Sequence, residues 1–400
     1  MRILVASGTW YPERNGVARV ATEVGRRLAE RGHEVTALVP QVADLPAHEH
    51  EGSLAIHRLI ERGLLPLTVK DVLETTRHSR RLGAFDVMLA HGSFPTVGLS
   101  LGRVPAPLVL VYHASLPREL RFMRPRLPWG HERLVAYLNE PIAAMLERAA
   151  VRRCARILIL SEYSRSLLMA DHPDQTAKVR SVPGGVDTKW FSPGDGVRAA
   201  RMRLGLDPQQ RLLVTVRRAE PRMGIDQLLR AVRILASDKV SLAVVGGGLL
   251  TDEFKRLSSE LGIDGRVRFV GRVPEEELPD WYRAADLFVL PTVAYEGFGM
   301  VTVEALASGV PVVGTPAGAT PELLEPLDPR LVAGGSDPDS LALAIREALT
   351  FTGDDFRSRC RDYAVARFDW STVARAWDDA LSEAAGARGA GHAPRRELSS

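Results

Sequence analysis

The sequence predicts an α/β protein made of two Rossmann-like domains in tandem. Its 400 residues are enough for two domains of ordinary size. Short apolar segments alternate with amphipathic helical segments along the whole chain, a pattern typical of parallel sheets covered by helices on both faces. A stretch rich in proline and glycine, residues 183–196, interrupts the alternation and predicts a linker.

The first domain is predicted to open with a β-loop-α-β unit. Residues 2–7 form an apolar strand, and a loop ending at Gly16 leads into an amphipathic helix over 17–31 that Gly32 closes. Further strands are predicted at 34–39, 86–90, 108–112 and 156–160, with helical stretches between them.

The alternation restarts after the linker. Strands are predicted at 212–216, 240–245, 267–270, 287–290 and 311–314. Helices are predicted near 226–235, 253–261, 275–284, 301–307 and 339–349, and a last amphipathic helix near 371–381. The tail 385–400 is rich in Gly, Ala, Arg and Ser and is predicted to be disordered.

Composition and charge restrict the function classes. The chain is 45% hydrophobic and 25% charged, as in ordinary globular proteins, and its net charge of +3 gives no reason to expect a nucleic-acid partner. Cys154 and Cys360 lie far apart and form no pair motif, which fits a reducing cytoplasm. The apolar start of the chain is too short for a signal peptide, and no segment approaches the length of a membrane span.

The most informative motif is a pair of carboxylates, Glu296 and Glu304, with a predicted strand on either side. Between them lie Gly297, Gly299 and the predicted start of a helix. A strand, a glycine turn and a helix N-terminus present free backbone N–H groups to an anion. Because a carboxylate would repel a phosphate, the two glutamates are better suited to sugar and ribose hydroxyls. The motif therefore predicts a sugar-nucleotide site, with the helix N-terminus facing a diphosphate.

Several motifs follow one another along nearly the whole chain and together resemble the family 4 glycosyltransferases, a retaining class with the GT-B fold. These motifs are Asn15-Gly16, Tyr112-His113, 182–187 with 191–193, the basic loop 217–224, 245–248, 269–273, 282–286 and the paired glutamates. The resemblance implies two Rossmann-like domains facing each other across a cleft, with the last helix packed on the first domain. It assigns 1–192 and a helix near 368–384 to an acceptor domain, and 193–367 to a donor domain.

The resemblance also implies roles for the glutamate motif. Glu296 is expected to be catalytic by binding the hydroxyls of the donor sugar, and Glu304 to hold the two ribose hydroxyls. The remaining expected donor-binding positions act through their backbone: Gly246, Gly248, Val273, Gly297, Phe298, Gly299, Met300 and Val301. Of these, the two glycines at 246 and 248 end a strand and are expected to let the diphosphate approach a chain without side chains.

We expect no metal at this site, so the diphosphate requires fixed positive charge. The only Asp-x-Asp match, Asp337-Pro-Asp339, precedes a predicted helix and is interpreted as an N-cap. Arg218 and Arg222 follow a strand and are expected to bind the phosphates, Arg218 as a catalytic residue. In relatives the second cation is a lysine directly before the glycine. This chain has Met223 there, so the role passes to Arg222.

In the first domain the resemblance points to Gly16 and His113. Gly16 is expected to allow close approach of the diphosphate, and His113 to contact the donor sugar near the reacting carbon. His91 also ends a predicted strand and is a second candidate. His48 and His50 lie in a polar stretch with no third ligand in the sequence, so they are interpreted as loop residues and not as a metal site.

The sequence therefore predicts an enzyme that transfers a sugar from a UDP- or GDP-sugar to an acceptor hydroxyl, with retention and without a metal or other cofactor. The acceptor remains open among small molecules, natural products, glycans and lipids. The segment 117–133 is basic with interleaved aromatics; it suits either a loop closing over a soluble acceptor or peripheral contact with the inner face of a membrane.

Three other classes remain open at this point. A GT-B epimerase or phosphorylase would share the fold but needs further acid/base groups or a cofactor lysine. A non-catalytic nucleotide-sugar binder would share the site but not the turnover. A dinucleotide dehydrogenase would place its glycines after the first strand with an acidic residue about twenty positions later, an arrangement that is missing here.

Overall fold

The computed structural model describes residues 1–13, 15–61 and 69–386. These residues form two compact units. Unit 1 comprises Met1–Pro183 and the chain from Val373 onward, and unit 2 comprises Gly184–Thr372. The two junctions thus lie at 183/184 and 372/373, whereas the sequence analysis places them at 192/193 and 367/368. The acceptor and donor roles of the two units stay predictions.

Unit 1 contains an eight-stranded sheet in the order β3-β4-β2-β1-β5-β6-β7-β8. All neighbouring strands are parallel except β3 and β4. The strands are β1 (Arg2–Ser7), β2 (Glu34–Pro40), β3 (His48–Glu51), β4 (Leu54–Ile60), β5 (Val87–His91), β6 (Leu108–Tyr112), β7 (Arg156–Ile159) and β8 (Val179–Ser181). β5 and β6 are buried along their whole length, as expected for strands covered on both faces.

Six helices of unit 1 connect these strands. They are α1 (Gly16–Glu30), α2 (Val69–Ser79), α3 (Ser93–Gly102), α4 (Leu116–Met123), α5 (His131–Arg153) and α6 (Glu162–Asp171). The first helix begins where the sequence predicts, because the side chain of Asn15 accepts a hydrogen bond from the N–H of Ala18 at 2.9 Å.

The expectation of a loop around His48 and His50 is wrong, because these residues lie in β3. This strand pairs with β4 in an antiparallel hairpin, and Nδ1 of His48 lies 3.0 Å from Nδ1 of His57 on β4. Every side chain of β3 is polar, so the strand carries no apolar signal in the sequence. Its position at the sheet edge explains why polar side chains are tolerated there.

Unit 2 contains a five-stranded parallel sheet in the order β11-β10-β9-β12-β13. The strands are β9 (Arg211–Val216), β10 (Val240–Val245), β11 (Val267–Gly271), β12 (Leu287–Leu290) and β13 (Val312–Gly314). The helices are α7 (Val197–Arg203), α8 (Ile225–Ile234), α9 (Thr251–Glu260), α10 (Leu278–Ala284), α11 (Met300–Ala307), α12 (Thr320–Leu324), α13 (Pro338–Phe351) and α14 (Asp354–Phe368). All five strands were predicted from their apolar runs.

The last helix, α15 (Trp370–Gly386), completes unit 1 from Val373 onward. Asp378 accepts hydrogen bonds from Nε of Arg31 at 2.8 Å and pairs with Nε2 of His33 at 2.9 Å. The expected return of the last helix to the first domain is therefore confirmed. Ala385 and Gly386 of the predicted tail belong to this helix, and residues 387–400 lie outside the described residues. Among the described helices, none has the length and apolar character needed to span a membrane.

Candidate functional site

A buried ion pair lies at the carboxyl edge of the unit 2 sheet. Arg217 directly follows β9, and the loop 291–299 follows the neighbouring strand β12. The Arg217 guanidinium donates hydrogen bonds to the Glu296 carboxylate and to the Thr292 hydroxyl, and Thr292 in turn donates to Glu296 at 2.9 Å. The Arg217 side chain is 7% exposed and that of Glu296 11%. The sheet edge thus holds a carboxylate and a guanidinium in direct contact, with little exposure of either to solvent.

The charge of Glu296 is stabilised by its neighbours. Burial alone would raise its pKa, but attraction to Arg217 and then to Arg222, with hydrogen bonds from Arg217 and Thr292, outweighs burial and leaves the pKa below its ordinary value. Glu296 is therefore ionised at neutral pH and can only accept hydrogen bonds. An ionised carboxylate suits sugar hydroxyls, as the sequence analysis predicts.

Arg222 belongs to the same cluster, and Met223 does not. The Arg222 guanidinium donates to the backbone oxygen of Tyr295 at 3.1 Å, and its own backbone oxygen accepts from the N–H of Val293 at 2.9 Å. Met223, at the position of the expected lysine, is buried in the apolar core. Arg222 is thus placed to supply a second positive charge beside Glu296.

Arg218, the neighbour of Arg217, is far more exposed than Arg217. Its side chain is 51% exposed and forms an ion pair with Glu220 at 2.7 Å. The guanidinium that contacts Glu296 is that of Arg217, which the sequence analysis does not select. The one signal in the sequence is that Arg217 directly continues the buried strand after Val216, so its side chain is held by the sheet edge.

Gly246 and Gly248, just beyond β10, allow the basic loop 217–224 to pack closely against them. A Cβ on Gly246, whose φ is +117°, would lie 2.1 Å from the backbone oxygen of Arg217, and one on Gly248 would lie 2.8 Å from that of Ala219. These glycines are required because neighbouring backbone approaches closely. Their predicted contact with a diphosphate stays a prediction.

Two further glycines of the cluster were given no role of their own from the sequence. A Cβ on Gly224, whose φ is +68°, would lie 1.8 Å from the backbone oxygen of Pro291. A Cβ on Gly318, whose φ is +67°, would lie 2.3 Å from that of Glu296, and the next residue, Ala319, donates its N–H to the same oxygen at 2.8 Å. Close packing therefore fixes the backbone of Glu296.

The motif after Glu296 turns into α11 as predicted. Gly299 precedes the helix with a left-handed φ of +96°, and Met300 and Val301 form its first turn, where backbone N–H groups have no carbonyl partner within the helix. Phe298 is buried against Phe368, with ring centroids 6.0 Å apart. The glycines on both sides of Phe298 thus surround an anchored ring.

Glu304 and Val273 lie in different surroundings. Glu304 is buried on α11 and accepts a hydrogen bond from the Tyr282 hydroxyl at 2.7 Å. Its predicted partners, the ribose hydroxyls, would have to reach it inside the unit. Val273 is partly exposed just beyond β11, at the same carboxyl edge as Arg217 and Gly246.

The carboxyl edge of the unit 1 sheet carries the other predicted residues. Gly16 is exposed at the first position of α1, after the loop that follows β1. His91 ends β5, and His113 directly follows β6. These three strands are neighbours in the sheet, so the predicted residues share one edge.

The two histidines are hydrogen-bonded to each other. Nδ1 of His91 lies 3.1 Å from Nε2 of His113, and the rings are stacked with centroids 5.3 Å apart. The ring of His91 is also stacked with that of Trp377 of α15, with centroids 6.4 Å apart. Burial and then His113 hold the pKa of His91 well below its ordinary value, and burial lowers the pKa of His113 to about 4. Both rings are therefore neutral at pH 7, so one ring nitrogen can donate the hydrogen bond and the other can accept it.

The expected N-cap at Asp337 is confirmed, since its Oδ1 accepts from the N–H of Ser340 at 2.9 Å at the start of α13. Within the described ranges, no three His, Cys, Asp or Glu side chains are grouped as metal ligands would be.

Two family models match the chain. The one described as Glycosyltransferase Family 4 matches residues 14–190, and the one described as Glycosyl transferases group 1 matches residues 197–367. A GDP-mannose-dependent alpha-(1-6)-phosphatidylinositol monomannoside mannosyltransferase of Mycobacterium tuberculosis is 30% identical over 393 residues, which cover 94% of this chain and 95% of the relative. A D-inositol 3-phosphate glycosyltransferase of Catenulispora acidiphila is 36% identical over 257 residues, covering 61% and 60%.

Solved structures show the same fold at low identity. A sucrose-phosphate synthase from Thermosynechococcus elongatus superposes with a TM-score of 0.79 at 21% identity, covering 96% of this chain and 99% of that one. The catalytic domain of starch synthase IV from Arabidopsis thaliana, bound to ADP and acarbose, gives 0.75 at 14% identity, covering 96% and 99%.

Proposed function

This chain belongs to the family 4 glycosyltransferases and has their GT-B fold, and from that premise we propose that it transfers mannose from GDP-mannose to a hydroxyl of an inositol-bearing, lipid-borne acceptor, with retention and without a metal. That it is a glycosyltransferase using a nucleotide sugar follows from its family. The nucleotide, the sugar, the acceptor and the stereochemistry are the proposal.

The contact between Arg217 and Glu296 carries the proposal. A nucleotide-sugar site needs an anionic group for sugar hydroxyls directly beside cationic groups for the diphosphate, and this pair places both at one sheet edge. Glu296 binds the sugar hydroxyls. Arg217 and Arg222 bind the phosphate oxygens, so the role predicted for Arg218 passes to its neighbour.

The amides of Met300 and Val301 at the start of α11 complete the diphosphate site, because a helix N-terminus attracts negative charge. Glu304 accepts the ribose hydroxyls in place of the Tyr282 hydroxyl that it now binds. Departure of the diphosphate is then stabilised by guanidinium groups and backbone dipoles that need no reorganisation during the reaction.

Retention follows from front-face displacement. In this mechanism the leaving phosphate takes the proton of the acceptor hydroxyl on the same face of the sugar, so no protein nucleophile is needed. His113 contacts the donor sugar as a neutral hydrogen-bonding group, since a pKa of about 4 leaves it unprotonated at pH 7.

The choice of GDP-mannose and of an inositol-bearing lipid rests on the relative that matches almost the full length of the chain and whose name states that donor and a phosphatidylinositol-based acceptor. The names of the inositol 3-phosphate glycosyltransferases, which match over a shorter part of the chain, also refer to an inositol group.

A donor panel tests this assignment. We expect GDP and GDP-mannose to raise the melting temperature more than UDP-, ADP- or TDP-sugars, because binding to the native state alone stabilises it. Transfer to a phosphatidylinositol mannoside should then persist in EDTA and give an α-linked product by NMR. Stabilisation by UDP-sugars alone would reject the donor, and an inverted anomeric centre would reject retention.

Incubation of the stabilising donor without acceptor separates the alternative activities. An epimerase would isomerise the donor, and a non-catalytic binder would leave it unchanged with every acceptor. We expect slow hydrolysis at most, and turnover only when the acceptor is added.

A further inference from the structure

Helix α5 has an apolar face that is turned outward. Leu134, Leu138 and Met145 recur at intervals of four and seven residues, so their side chains share one side of the helix. Each is more than half exposed, and Tyr137 is exposed beside them. Trp129, two residues before the helix, is 87% exposed. We call these five residues the α5 outer face.

Guanidinium groups lie on the aromatic rings at one end of this face. The Cζ atom of Arg133 is 3.9 Å from the ring centroid of Trp129, and that of Arg124 is 4.6 Å from the centroid of Tyr137. The Cζ atom of Arg126 on the adjoining segment is 3.8 Å from the ring of Phe122. Stacking holds these cations at the level of the rings, next to the exposed leucines.

The nearby carboxylates do not cancel this charge. Glu140 is bonded to both Arg121 and Arg124, and Asp171 accepts from Arg118 at 2.6 Å through both oxygens. Glu119 on α4 and Glu132 in the first turn of α5 are further acidic residues of this stretch. Five arginines (Arg118, Arg121, Arg124, Arg126 and Arg133) are thus set against four carboxylates (Glu119, Glu132, Glu140 and Asp171), which leaves an excess of positive charge. The arginines at 126 and 133 add positive charge beside the exposed apolar side chains.

Three observations therefore coincide: large exposed apolar side chains, aromatic rings and guanidinium groups. A helix that lies in the interface of a bilayer carries this combination, with the apolar side chains among the acyl chains and the cations at the phosphates. A second copy of this chain fits less well, because a symmetric contact would bring two arginine-rich surfaces together.

We propose that the α5 outer face docks on an anionic lipid surface. This inference deepens the proposed function, because an acceptor embedded in a bilayer has to be reached from its surface. Docking is nevertheless a property of unit 1 alone, so it can be measured without any sugar transfer.

The test is co-sedimentation of the full-length protein with vesicles of phosphatidylcholine, with and without about one third phosphatidylinositol. We expect binding to the anionic vesicles, weakened by salt because surface charges are screened. The double variant Leu134→Gln/Leu138→Gln should reduce the partition coefficient about tenfold while keeping good helix formers at exposed positions. Arg126→Glu/Arg133→Glu should reduce binding to anionic vesicles alone.

Matched control variants distinguish binding through the α5 outer face from nonspecific adsorption to vesicles. Leu343 on α13 of unit 2 is as exposed as Met145, so Leu343→Gln should leave vesicle binding unchanged. The charge control is Arg256→Glu on α9, another exposed position in unit 2. Unchanged melting temperatures would show that the variants fold.

The proposal is overturned if the wild type does not bind anionic vesicles, or if the α5 variants bind as well as the controls. Light scattering that shows a dimer, lost in Leu134→Gln/Leu138→Gln, would assign the face to a second copy instead. Stabilisation by GDP is measured on the same variants. If the α5 variants lose vesicle binding but GDP still raises their melting temperature, this face serves docking and not donor binding. If GDP does not raise the melting temperature of the wild type, the proposed donor is rejected, and the docking proposal is unaffected.

Discussion

The two sheets carry opposite kinds of buried polar pair at their carboxyl edges. In unit 2 the pair is fully charged, with the Arg217 guanidinium on the Glu296 carboxylate. In unit 1 it is neutral, with Nδ1 of His91 on Nε2 of His113. Both pairs are largely removed from water, so burial penalises charge in both.

The difference lies in what surrounds each pair. Glu296 has Arg217 and Arg222 close by, and their attraction outweighs burial and lowers its pKa. The causes that lower the pKa of the histidines are burial for both and, for His91, also the neighbouring His113, and no carboxylate is among them. One edge therefore holds a pair with fixed charges, and the other holds a pair of uncharged hydrogen-bonding groups.

Removing the cation of the charged pair should have the largest effect. We expect Arg217→Ala to lower kcat/KM about a thousandfold, since it removes the proposed donor to the leaving group and the ion pair of the buried Glu296. Arg218→Ala, one residue away, should change kcat/KM by less than about threefold because its ion pair is exposed. Steady-state kinetics with GDP-mannose, with circular dichroism as a folding check, measure both.

The reverse order of effects would return the phosphate role to Arg218, as the sequence analysis predicts. Arg217→Lys separates charge from geometry, because lysine keeps the positive charge but lacks the planar guanidinium group that donates to two acceptors at once. An intermediate kcat/KM is expected for this variant.

The next effect concerns the loop that carries Arg217. Gly246→Ala places a Cβ 2.1 Å from the Arg217 backbone oxygen at a φ of +117°, so we expect a loss of about 3 kcal/mol in the free energy of unfolding. Gly247→Ala is the matched control, since its Cβ would meet nothing closer than 3.8 Å. Urea denaturation compares the two, and equal stabilities would contradict the close packing.

The neutral pair should make stability depend on pH. Because both histidines have folded-state pKa values below the unfolded value of about 6.5, the unfolded chain binds more protons between those values. The contribution of His113 is complete above about pH 6.5 and is lost as the pH falls towards 4, on the order of 3 kcal/mol. The contribution of His91 is lost in the same direction. We expect a smaller loss in the double variant His91→Asn/His113→Asn, measured by urea denaturation at pH 7.5 and pH 5. A loss as large as that of the wild type would contradict the assignment.

The smallest effect concerns the covering of the neutral pair. Trp377→Phe keeps an aromatic ring beside His91 but removes the hydrogen bond from Nε1 to the backbone oxygen of Pro183 at 3.0 Å. We expect a loss of about 1 kcal/mol in the free energy of unfolding and an unchanged donor affinity. A large change in GDP affinity would show that the ring does more than cover His91.

Much of the fold was predictable because parallel strands leave long apolar runs. The run at 240–245, for example, is buried throughout as β10. The all-polar strand His48–Glu51 was not predictable, since only its pairing with β4 makes it a strand. At the candidate site, the glycine-rich motif predicts the place of Glu296 between a strand and a helix, whereas which arginine contacts it depends on which side chain the strand end directs inward. The pairing of His91 with His113 depends on strand order, which sequence spacing does not contain.

The discontinuity of unit 1 has a consequence for biosynthesis. Its sheet is translated first, but the helix that supplies Trp377 and Asp378 is translated after all of unit 2. When unit 2 has been synthesised, it has all five strands of its sheet. Unit 1 at that stage still lacks its last helix, so the indole of Trp377 does not yet cover His91. The first half can therefore acquire its final form only after the last helix has emerged from the ribosome, and not when its own strands emerge.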